Sequence, residues 1–424
     1  MPARNLTRRD LLGAGCTALC SPPEGGLRTI GVWSAWDIAN IGDIGHTPGL
    51  LRTLEEFLPE VRVILFANML NDEVRGMLRR RFPRIEIHEG WLWGATAESE
   101  KLRTHLERCS VFIRNSNMGS ETEYMDQLIG RTIPFGVYGQ TYPQRFVNNA
   151  EQAARNIARI NRASFFFCRE KETLRLLEKA GASCPNLAFV PDAAFGIDVR
   201  DDAKALETMR RLGLEESKFI TIQLRTTTPA HLPEELPPGY DPKWNVKPPN
   251  VALDTERASK YIELIIQWVR KTGGQVLIAP EAKKEIEHNR RYLYAPLPED
   301  VKRRVANMDH FWNVDEAASV FARAHTVVCH EPHSPIIALA NGTPIIHTHS
   351  AEHGPKSFMF RDIGLGEWLF DHDSTPAGKM VETLFAIRRD PAAASRKVAA
   401  AMDRVHELRK WSAGVVRSTL SARA

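Results

Sequence analysis

The chain has 424 residues, enough for about two or three domains, and its 43% apolar and 25% charged content is typical of globular proteins. The formal net charge of +4 is small for this length and no basic tract stands out, so nucleic acid is not favoured as a partner. Six cysteines without a C-x-x-C pair do not indicate a disulfide framework, and no apolar run approaches the roughly 20 residues that span a bilayer.

The N-terminal segment 1–27 is similar to a twin-arginine export signal. Arg8 and Arg9 precede a short apolar stretch at 11–19, followed by "SPPEGG". Such a signal is recognised by a receptor that exports folded proteins, so it predicts export to the periplasm or cell envelope. The alternative is a disordered tail on a cytoplasmic protein. Under either interpretation these residues stand outside the fold.

Strand-like runs alternate with helical periodicity over the first predicted domain, 28–200. Predicted strands lie at 28–36, 61–68, 84–89, 109–116, 132–140, 164–170 and 187–195. Predicted helices lie at 47–59, 71–82, 97–107, 148–161 and 171–181. This alternation is typical of a parallel sheet with helices on both faces.

A second series of the same kind covers 201–375. It has predicted strands at 218–225, 274–280, 326–330 and 343–348, and helices at 254–272, 314–323 and 334–341. Seven prolines in the loop 226–252 forbid regular structure there, which favours either a functional lid or a surface decoration. Residues 376–424 read as helices broken at Asp390-Pro391. The prediction is α/β, with two Rossmann-like doubly wound domains and a C-terminal helical tail.

Ligands of open parallel sheets bind outside the carboxyl ends of the strands, so polar residues at those positions are the candidates for function. The first strand is followed by a turn that contains Asn40, Gly42, Asp43, Gly45 and His46. Its glycines permit close backbone approach to a ligand, but the spacing is not the dinucleotide fingerprint G-x-G-x-x-G. Asp43 is interpreted as a general base or as a residue that orients a substrate hydroxyl. The alternative role for Asp43 is helix capping.

Three further strand ends carry charged residues. Arg169 follows "SFFFC" and could hold a carboxylate or phosphate with two hydrogen bonds, or serve as an ion-pair group at the helix start. Asp192 follows "LAFVP", and Arg225 ends "ITIQLR" where the strand meets the expected cleft.

The stretch "VVCHEPHSPIIALANGTPIIHTHS", 327–350, predicts a strand, a short helix capped by Ser334, and another strand. A histidine at a helix N-terminus, as His333 would be, favours the neutral imidazole that general-base catalysis needs. A metal site is an alternative for the five histidines of this region, His330, His333, His347, His349 and His353. An acid/base or anion site is favoured over both metal binding and structural histidines at the edge of the core, because no carboxylate or cysteine pattern completes a ligand set.

These residues resemble the polysaccharide pyruvyl transferase family in four segments that occur in order over 35–360. The segments are "NIGD" (40–43), "FFFCREKETLRLLEKAG" with "FVPDAAF", "ITIQLR", and "HSPIIALANGTPIIHTHSAEHGPK". The resemblance implies a two-domain GT-B fold and transfer of a pyruvyl group from phosphoenolpyruvate to hydroxyls of an envelope or exported polysaccharide. No cofactor is expected; phosphoenolpyruvate is a co-substrate and a sugar or glycan the acceptor.

The resemblance also implies residue roles. His333 would be the acid/base residue, with Asp43 as a second catalytic candidate. Arg225 and Lys356 would bind the donor, and Asp43 would belong to the acceptor side. By their positions at strand ends, Arg169, His330 and Glu331 are further candidates for donor binding, and Asn40 and Asp192 for acceptor binding.

One position departs from the family pattern, since Glu331 stands where the motif has an arginine expected to hold the donor anion. At ~4 Å and an effective dielectric near 20, each opposite-sign pair is worth about 4 kcal/mol, so this exchange turns attraction into repulsion. Two other functions therefore stay open: a GT-B glycosyltransferase that uses a nucleotide sugar, with Glu331 on the ribose, and a non-catalytic glycan-binding relative. An exported protein would also be separated from cytoplasmic phosphoenolpyruvate.

Overall fold

The computed structural model describes residues 28–89, 100–116, 133–142, 144, 147–227 and 250–422. The predicted export signal and most of the proline-rich loop lie outside these residues. Within the described ranges, no helix is long and apolar enough to cross a membrane.

The N-terminal sheet consists, in the described residues, of seven parallel strands. They are β1 (Thr29–Ser34), β2 (Arg62–Ala67), β3 (Glu86–Glu89), β4 (Val111–Asn115), β5 (Phe135–Gln140), β6 (Phe165–Cys168) and β7 (Leu187–Phe189). Their order is β3-β2-β1-β4-β5-β6-β7. The chain adds strands towards one edge of the sheet from β1 to β3 and towards the other edge from β4 onwards. The switch point therefore lies between β1 and β4, and ligands bind at such points in doubly wound folds.

The C-terminal sheet repeats this order with six described strands. They are β8 (Phe219–Gln223), β9 (Gln275–Ile278), β10 (Val305–Asn307), β11 (Thr326–Cys329), β12 (Ile345–His349) and β13 (Leu369–Asp371). The order is β10-β9-β8-β11-β12-β13, again all parallel. The switch point of this sheet lies between β8 and β11.

Helices cover both sheets. Those of the first half are α1 (Ile41–Phe57), α2 (Asp72–Arg81), α3 (Glu100–Glu107), α4 (Ala150–Arg162) and α5 (Lys171–Lys179). The second half contains α6 (Asp202–Arg211), α7 (Val251–Thr272), α8 (Glu285–Asn289), α9 (Glu299–Lys302), α10 (Val314–Phe321), α11 (His333–Ala340) and α12 (Phe358–Asp362). Two C-terminal helices follow, α13 (Ala377–Arg389) and α14 (Pro391–Ser421). Short 3-10 turns cover Ala193–Gly196, Ala351–Ser357 and Gly366–Trp368, and a π turn covers Arg290–Tyr294.

The predicted fold class is confirmed, and the differences are local. Helix α1 begins at Ile41 rather than at 47, because the Asn40 side chain caps it by accepting from the Gly42 N–H at 2.7 Å. Helix α11 begins at His333, so the predicted capping by Ser334 is wrong, and the Ser334 hydroxyl bonds a buried carboxylate instead. The three-residue strands β10 and β13 and the helix α6 were not predicted.

The C-terminal helices separate at Asp390-Pro391, as predicted, and then pack on different domains. Asp390 caps α14 by accepting from the Ala393 N–H at 2.8 Å, while Pro391 needs no helical N–H at this first position. Phe385 of α13 lies against Trp268 of α7. Helix α14 crosses to the N-terminal domain, where Ser412 bonds the Tyr138 hydroxyl at 3.0 Å.

The buried side chain of Arg409 joins α14 to α1, so its replacement tests whether the packing of α14 on the N-terminal domain stabilises the fold. Its Nε donates to Oγ1 of Thr53 at 2.9 Å and its Nη2 donates to Glu56 at 3.1 Å. We expect Arg409→Ala to lower the free energy of unfolding by about 1.5–3 kcal/mol, measured by urea denaturation. Arg417→Ala, on an exposed part of the same helix, is the control and should cost about 0–1 kcal/mol. Equal losses of unfolding free energy in the two variants would contradict a stabilising role for the contact between α14 and the N-terminal domain.

Candidate active site

The carboxyl ends of the two sheets face each other, and the domains make direct backbone contact there. The Ile41 N–H donates to the Glu281 carbonyl at 2.9 Å, and the Lys283 N–H donates to the Ala39 carbonyl at 2.8 Å. Ala39 and Ile41 belong to the turn after β1, and Glu281 and Lys283 belong to the segment after β9. The N-terminal end of α1 is therefore fixed against the second domain.

Gly42 permits this contact because it has no side chain. A Cβ at position 42 would lie 2.1 Å from Nδ1 of His333, which is far inside van der Waals distance. The imidazole of His333 therefore occupies the space next to the first turn of α1.

His333 and Glu281 form a hydrogen-bonded dyad. Nδ1 of His333 lies 3.1 Å from Oε1 of Glu281, and the Ser334 N–H and hydroxyl both donate to Oε2 at 2.8 and 2.7 Å. Burial raises the pKa of Glu281, but the hydrogen bonds from His333 and Ser334 outweigh it and lower the pKa below its ordinary value. An ionised Glu281 favours the tautomer with the proton on Nδ1. Nε2 of His333, buried and without a hydrogen-bond partner among the described residues, then carries the lone pair.

His46 and Asp192 form a second dyad on the N-terminal domain. Nδ1 of His46 lies 2.9 Å from Oδ1 of Asp192, which also accepts from the Ala194 N–H at 2.9 Å. Arg169 donates to Oδ2 of Asp192 at 2.7 Å. Burial raises the pKa of Asp192, but His46 and Arg169 outweigh it and hold the pKa well below its usual range.

The two dyads meet across the cleft. The imidazole rings of His46 and His333 are 4.7 Å apart between centroids and nearly perpendicular, at 85°. One ring comes from the N-terminal domain and the other from the C-terminal domain.

Beside His333, the carboxylate of Glu331 is bound by two cations. Lys356 donates to Oε2 of Glu331 at 2.9 Å, and Arg225 forms an ion pair with Oε1. Burial and the nearby charges of Arg225 and Arg169 lower the pKa of Lys356 to about 7, whereas the negative charges of Glu281 and Asp43 act in the opposite direction. The residue that departs from the family motif thus occupies the two cations expected to bind the donor.

Asp43 lies half-buried in the first turn of α1 and faces the same cations. Burial lowers the pKa values of Arg225 and Lys356, and the negative charge of Asp43 partly opposes this lowering, although no hydrogen bond engages the Asp43 carboxylate among the described residues. Asp43 is therefore available for a ligand in a way that the other carboxylates of the site are not.

The other histidines of 327–350 have separate partners. Nε2 of His330 lies 3.0 Å from Nδ1 of His353, and Nδ1 of His330 lies 3.1 Å from Nδ1 of His372. Burial lowers the pKa values of all three, so they are neutral at physiological pH. His347 bonds the Cys329 carbonyl at 2.8 Å, and His349 packs against Phe358.

Two groups of three residues in the described chain have potential metal-ligand atoms within 4.8 Å of one another: His46, Asp192 and His333, and Glu281, Glu331 and His333. In the first group Asp192 is already paired with Arg169, and in the second Glu331 is paired with Arg225 and Lys356. Adjacent cations oppose a bound metal ion. The preference for an acid/base site over a metal site stays a prediction.

The structure brings together His333, Glu331, Arg225, Lys356 and Asp43, and it sets the remaining predicted residues in supporting positions. Asn40 caps α1, while Asp192 is fully buried and binds Arg169 and His46 rather than facing the cleft. His330 lies in the cluster with His353 and His372. His46 was named from the sequence only as part of a turn, and Glu281 was missed. Glu281 follows the predicted strand 274–280, so the rule that polar residues at strand ends are candidates could have found it.

The arrangement of the two sheets is similar to that of several solved structures. The ADP-heptose heptosyltransferase II of E. coli is 15% identical, with a TM-score of 0.51 over 86% of this chain and all of that one. The UDP-GlcNAc 2-epimerase of Neisseria meningitidis is 10% identical, with a TM-score of 0.55 over 92% of this chain and all of that one. The trehalose 6-phosphate synthase of Burkholderia multivorans is 9% identical, with a TM-score of 0.55 over 94% of this chain and all of that one. At these identities the likeness concerns the fold alone.

The fold and the site define a two-domain protein of the GT-B class. Residues 40–348 match the polysaccharide pyruvyl transferase family, and because this range is well over half of the chain, the protein belongs to that family of transferases. No curated protein matches the chain closely.

Gly42→Ala should disturb the domain contact without changing any charged group. The added methyl must displace the His333 ring, so we expect a loss of about 1–3 kcal/mol in the free energy of unfolding. Gly45→Ala is the matched control. Its Cβ would meet Val314 and Ile197 at ordinary distances of 3.6 and 3.7 Å, and the change should be neutral or stabilise by up to about 1 kcal/mol. Adding His333→Ala should restore most of the loss in Gly42→Ala, and a strictly additive double variant would contradict the steric explanation.

The lowered pKa of Lys356 predicts pH-dependent anion binding. In a Glu331→Gln background, where the carboxylate no longer competes, sulfate should bind up to about tenfold more tightly at pH 6 than at pH 8. The direction follows because Lys356 gains its proton as the pH falls through about 7, whereas sulfate keeps its charge over this range. Calorimetry measures the difference. Lys356→Arg in the same background should bind sulfate equally at both pH values, since arginine stays protonated.

Proposed function

We propose that the protein is a pyruvyl transferase-like enzyme that moves a pyruvyl group from phosphoenolpyruvate to a sugar hydroxyl of an envelope or exported polysaccharide. The observation that carries the proposal is the dyad of His333 and Glu281, whose unpartnered Nε2 lies in a cleft with Arg225 and Lys356. Membership of the family supports the same reaction.

The dyad supplies acid/base chemistry. A neutral His333 accepts a proton at Nε2, and the buried carboxylate of Glu281 stabilises the imidazolium that results. The helix α11 starts at His333, so the ring is held on a regular element rather than on a loop. General acid/base catalysis of this kind contributes about 10²–10⁴ to a rate.

Donor binding falls to Arg225 and Lys356. Both are positioned on the C-terminal domain beside His333, and both now pair with Glu331. Phosphoenolpyruvate carries a phosphate and a carboxylate, and it must displace Glu331 from these cations or bind when Glu331 is protonated. Glu331 thus competes with the donor for Arg225 and Lys356. The glutamate at the motif's arginine position therefore blocks the donor cations, in addition to repelling the donor anion.

The acceptor side is assigned to Asp43. Its carboxylate faces the cleft from α1 and has no hydrogen-bond partner among the described residues, so it can accept from a sugar hydroxyl. Asn40 and Asp192 support this side of the cleft through the helix cap and the dyad with His46.

A nucleotide-sugar donor is the second candidate, because structures with the same fold include the Anabaena protein HepE solved with UDP and glucose (11% identical, TM-score 0.54). In that function Glu331 would accept from ribose hydroxyls. Both of its carboxylate oxygens are already paired with Arg225 and Lys356, which makes this role less favourable.

Binding of phosphoenolpyruvate to wild type, Glu331→Gln and Glu331→Arg tests the proposal. We expect weak binding to wild type and affinity raised about tenfold or more in both variants, equivalent to at least about 1.4 kcal/mol, measured by calorimetry. Glu331→Gln frees Arg225 and Lys356, and Glu331→Arg adds the cation of the family motif.

Glu352→Gln is the matched control for net charge. The carboxylate of Glu352 lies near enough to raise the pKa of Arg225, but it pairs with Arg257 rather than with the donor cations. This variant should leave the affinity for phosphoenolpyruvate nearly unchanged. Tight wild-type binding that Glu331→Arg weakens would reject the assignment of Glu331. If wild type binds UDP-sugars and Glu331→Ala does not, the second candidate is favoured. If no donor binds, a non-catalytic glycan-binding protein is favoured.

A further inference from the structure

We propose that His46, held by Asp192, is a second acid/base residue of this site, and that the two histidine dyads divide the proton transfers of pyruvyl transfer between them. The inference rests on the proposed function for its reaction, but its geometric basis is independent of Glu331 and of the donor cations.

The dyads have matching geometry on opposite domains. Each imidazole presents Nδ1 to a fully buried carboxylate, at 2.9 Å for His46 and 3.1 Å for His333. Each carboxylate is fixed by further donors: Arg169, Ser116 and the Ala194 N–H bind Asp192, and Ser334 binds Glu281. Such partners set the tautomer and the ring orientation, and both Nε2 atoms are left for chemistry.

A purely structural role explains the position of His46 less well. Among the described residues no hydrogen bond engages its Nε2, and its ring lies edge-on to that of His333. Asp192 and Arg169 would satisfy one another without an imidazole, so a histidine is not required to neutralise either charge. The contact with His333 places His46 where both rings can reach one bound molecule.

The reaction requires one proton donor and one proton acceptor from the protein, because the phosphate takes the second hydroxyl proton. Two sugar hydroxyls add to C2 of phosphoenolpyruvate, forming two C–O bonds, while the bond from C2 to the phosphate oxygen breaks. One hydroxyl proton is balanced by protonation of the methylene carbon, which becomes the methyl group, and the other leaves on hydrogen phosphate. No oxidant or reductant is needed.

The placement of the rings assigns the roles. His333 shares its domain with Arg225 and Lys356, so once it has taken up a proton at Nε2 it is the group that passes this proton to the donor methylene. His46 extends from α1, the helix that also carries Asp43, so it accepts the proton of the acceptor hydroxyl. Two adjacent imidazolium ions repel each other, and the pair is therefore most stable with one ring protonated and one neutral.

Steady-state kinetics on His46→Gln, in wild-type and Glu331→Arg backgrounds, tests the assignment with phosphoenolpyruvate and a methyl galactoside that has free 4- and 6-hydroxyls. We expect kcat to fall about 100-fold or more, with little change in KM for phosphoenolpyruvate. The limb of the pH profile that rises from low pH should disappear, because it reports deprotonation of the base. His325→Gln, at the opposite end of β11, is the control and should retain full activity and both limbs.

NMR titration of the histidine C2 protons tests the pairing of His46 with His333 independently of pyruvyl transfer. The resonances of His46 and His333 should titrate as a coupled pair, and His46→Gln should shift the titration of His333 to higher pH. Coupled titration without transfer would reject the proposed donor and retain the acid/base pair. Independent titration, or a full pH profile and near-normal kcat in His46→Gln, would overturn the inference. A stoichiometric zinc ion lost in His46→Gln would overturn it as well, since the histidines would then be ligands.

Discussion

The close approach of the turn after β1 to the segment after β9 is the contact on which the site depends. Two backbone hydrogen bonds and the missing side chain of Gly42 hold the start of α1 against the second domain. Without this contact the rings of His46 and His333, which now lie 4.7 Å apart between centroids, would not meet across the cleft. The acid/base geometry is thus a property of the domain interface rather than of either domain alone.

Buried charges in the site are balanced in pairs, and the pairing explains which groups are free to react. Asp192 is neutralised by Arg169, Glu281 is satisfied by Ser334, and Glu331 takes both nearby cations. Removing one partner from such a pair is costly, because the remaining charge stays buried without compensation. Among the described residues of the site, these pairs leave without a hydrogen-bond partner the Nε2 atoms of His46 and His333 and the carboxylate of Asp43.

The sequence was sufficient for the fold because the elements are specified locally. Alternating apolar runs predicted most strands of both sheets, and the Asp390-Pro391 pair marked the division of the C-terminal helices. Short strands such as β10, with three residues, carry too little pattern to be recognised. Asn40 was assigned to a ligand because its motif suggested function, and the same side chain proved to cap a helix.

Several residues that the structure brings together were named from the sequence, whereas Glu281 and the pairing of the residues were not. Charged residues at strand ends identified Arg225, Glu331 and Asp192, since all strands of a parallel sheet end at one edge. Their partners come from distant segments: His46 and Asp192 are 146 residues apart, and His333 and Glu281 are 52 apart on different elements. No local pattern records such distances, so the ion pair that occupies Glu331 could only be seen in three dimensions.

The return of α14 to the N-terminal domain has a mechanical consequence. The C-terminal domain is joined to its neighbour by two covalent crossings, one near residue 200 and one near Asp390, instead of by a single linker. Two crossings define a line, and rotation about that line is the motion that stretches neither of them. The two crossings therefore favour a bend about one axis over other relative motions of the domains, and such a bend would change the separation of the two imidazole rings.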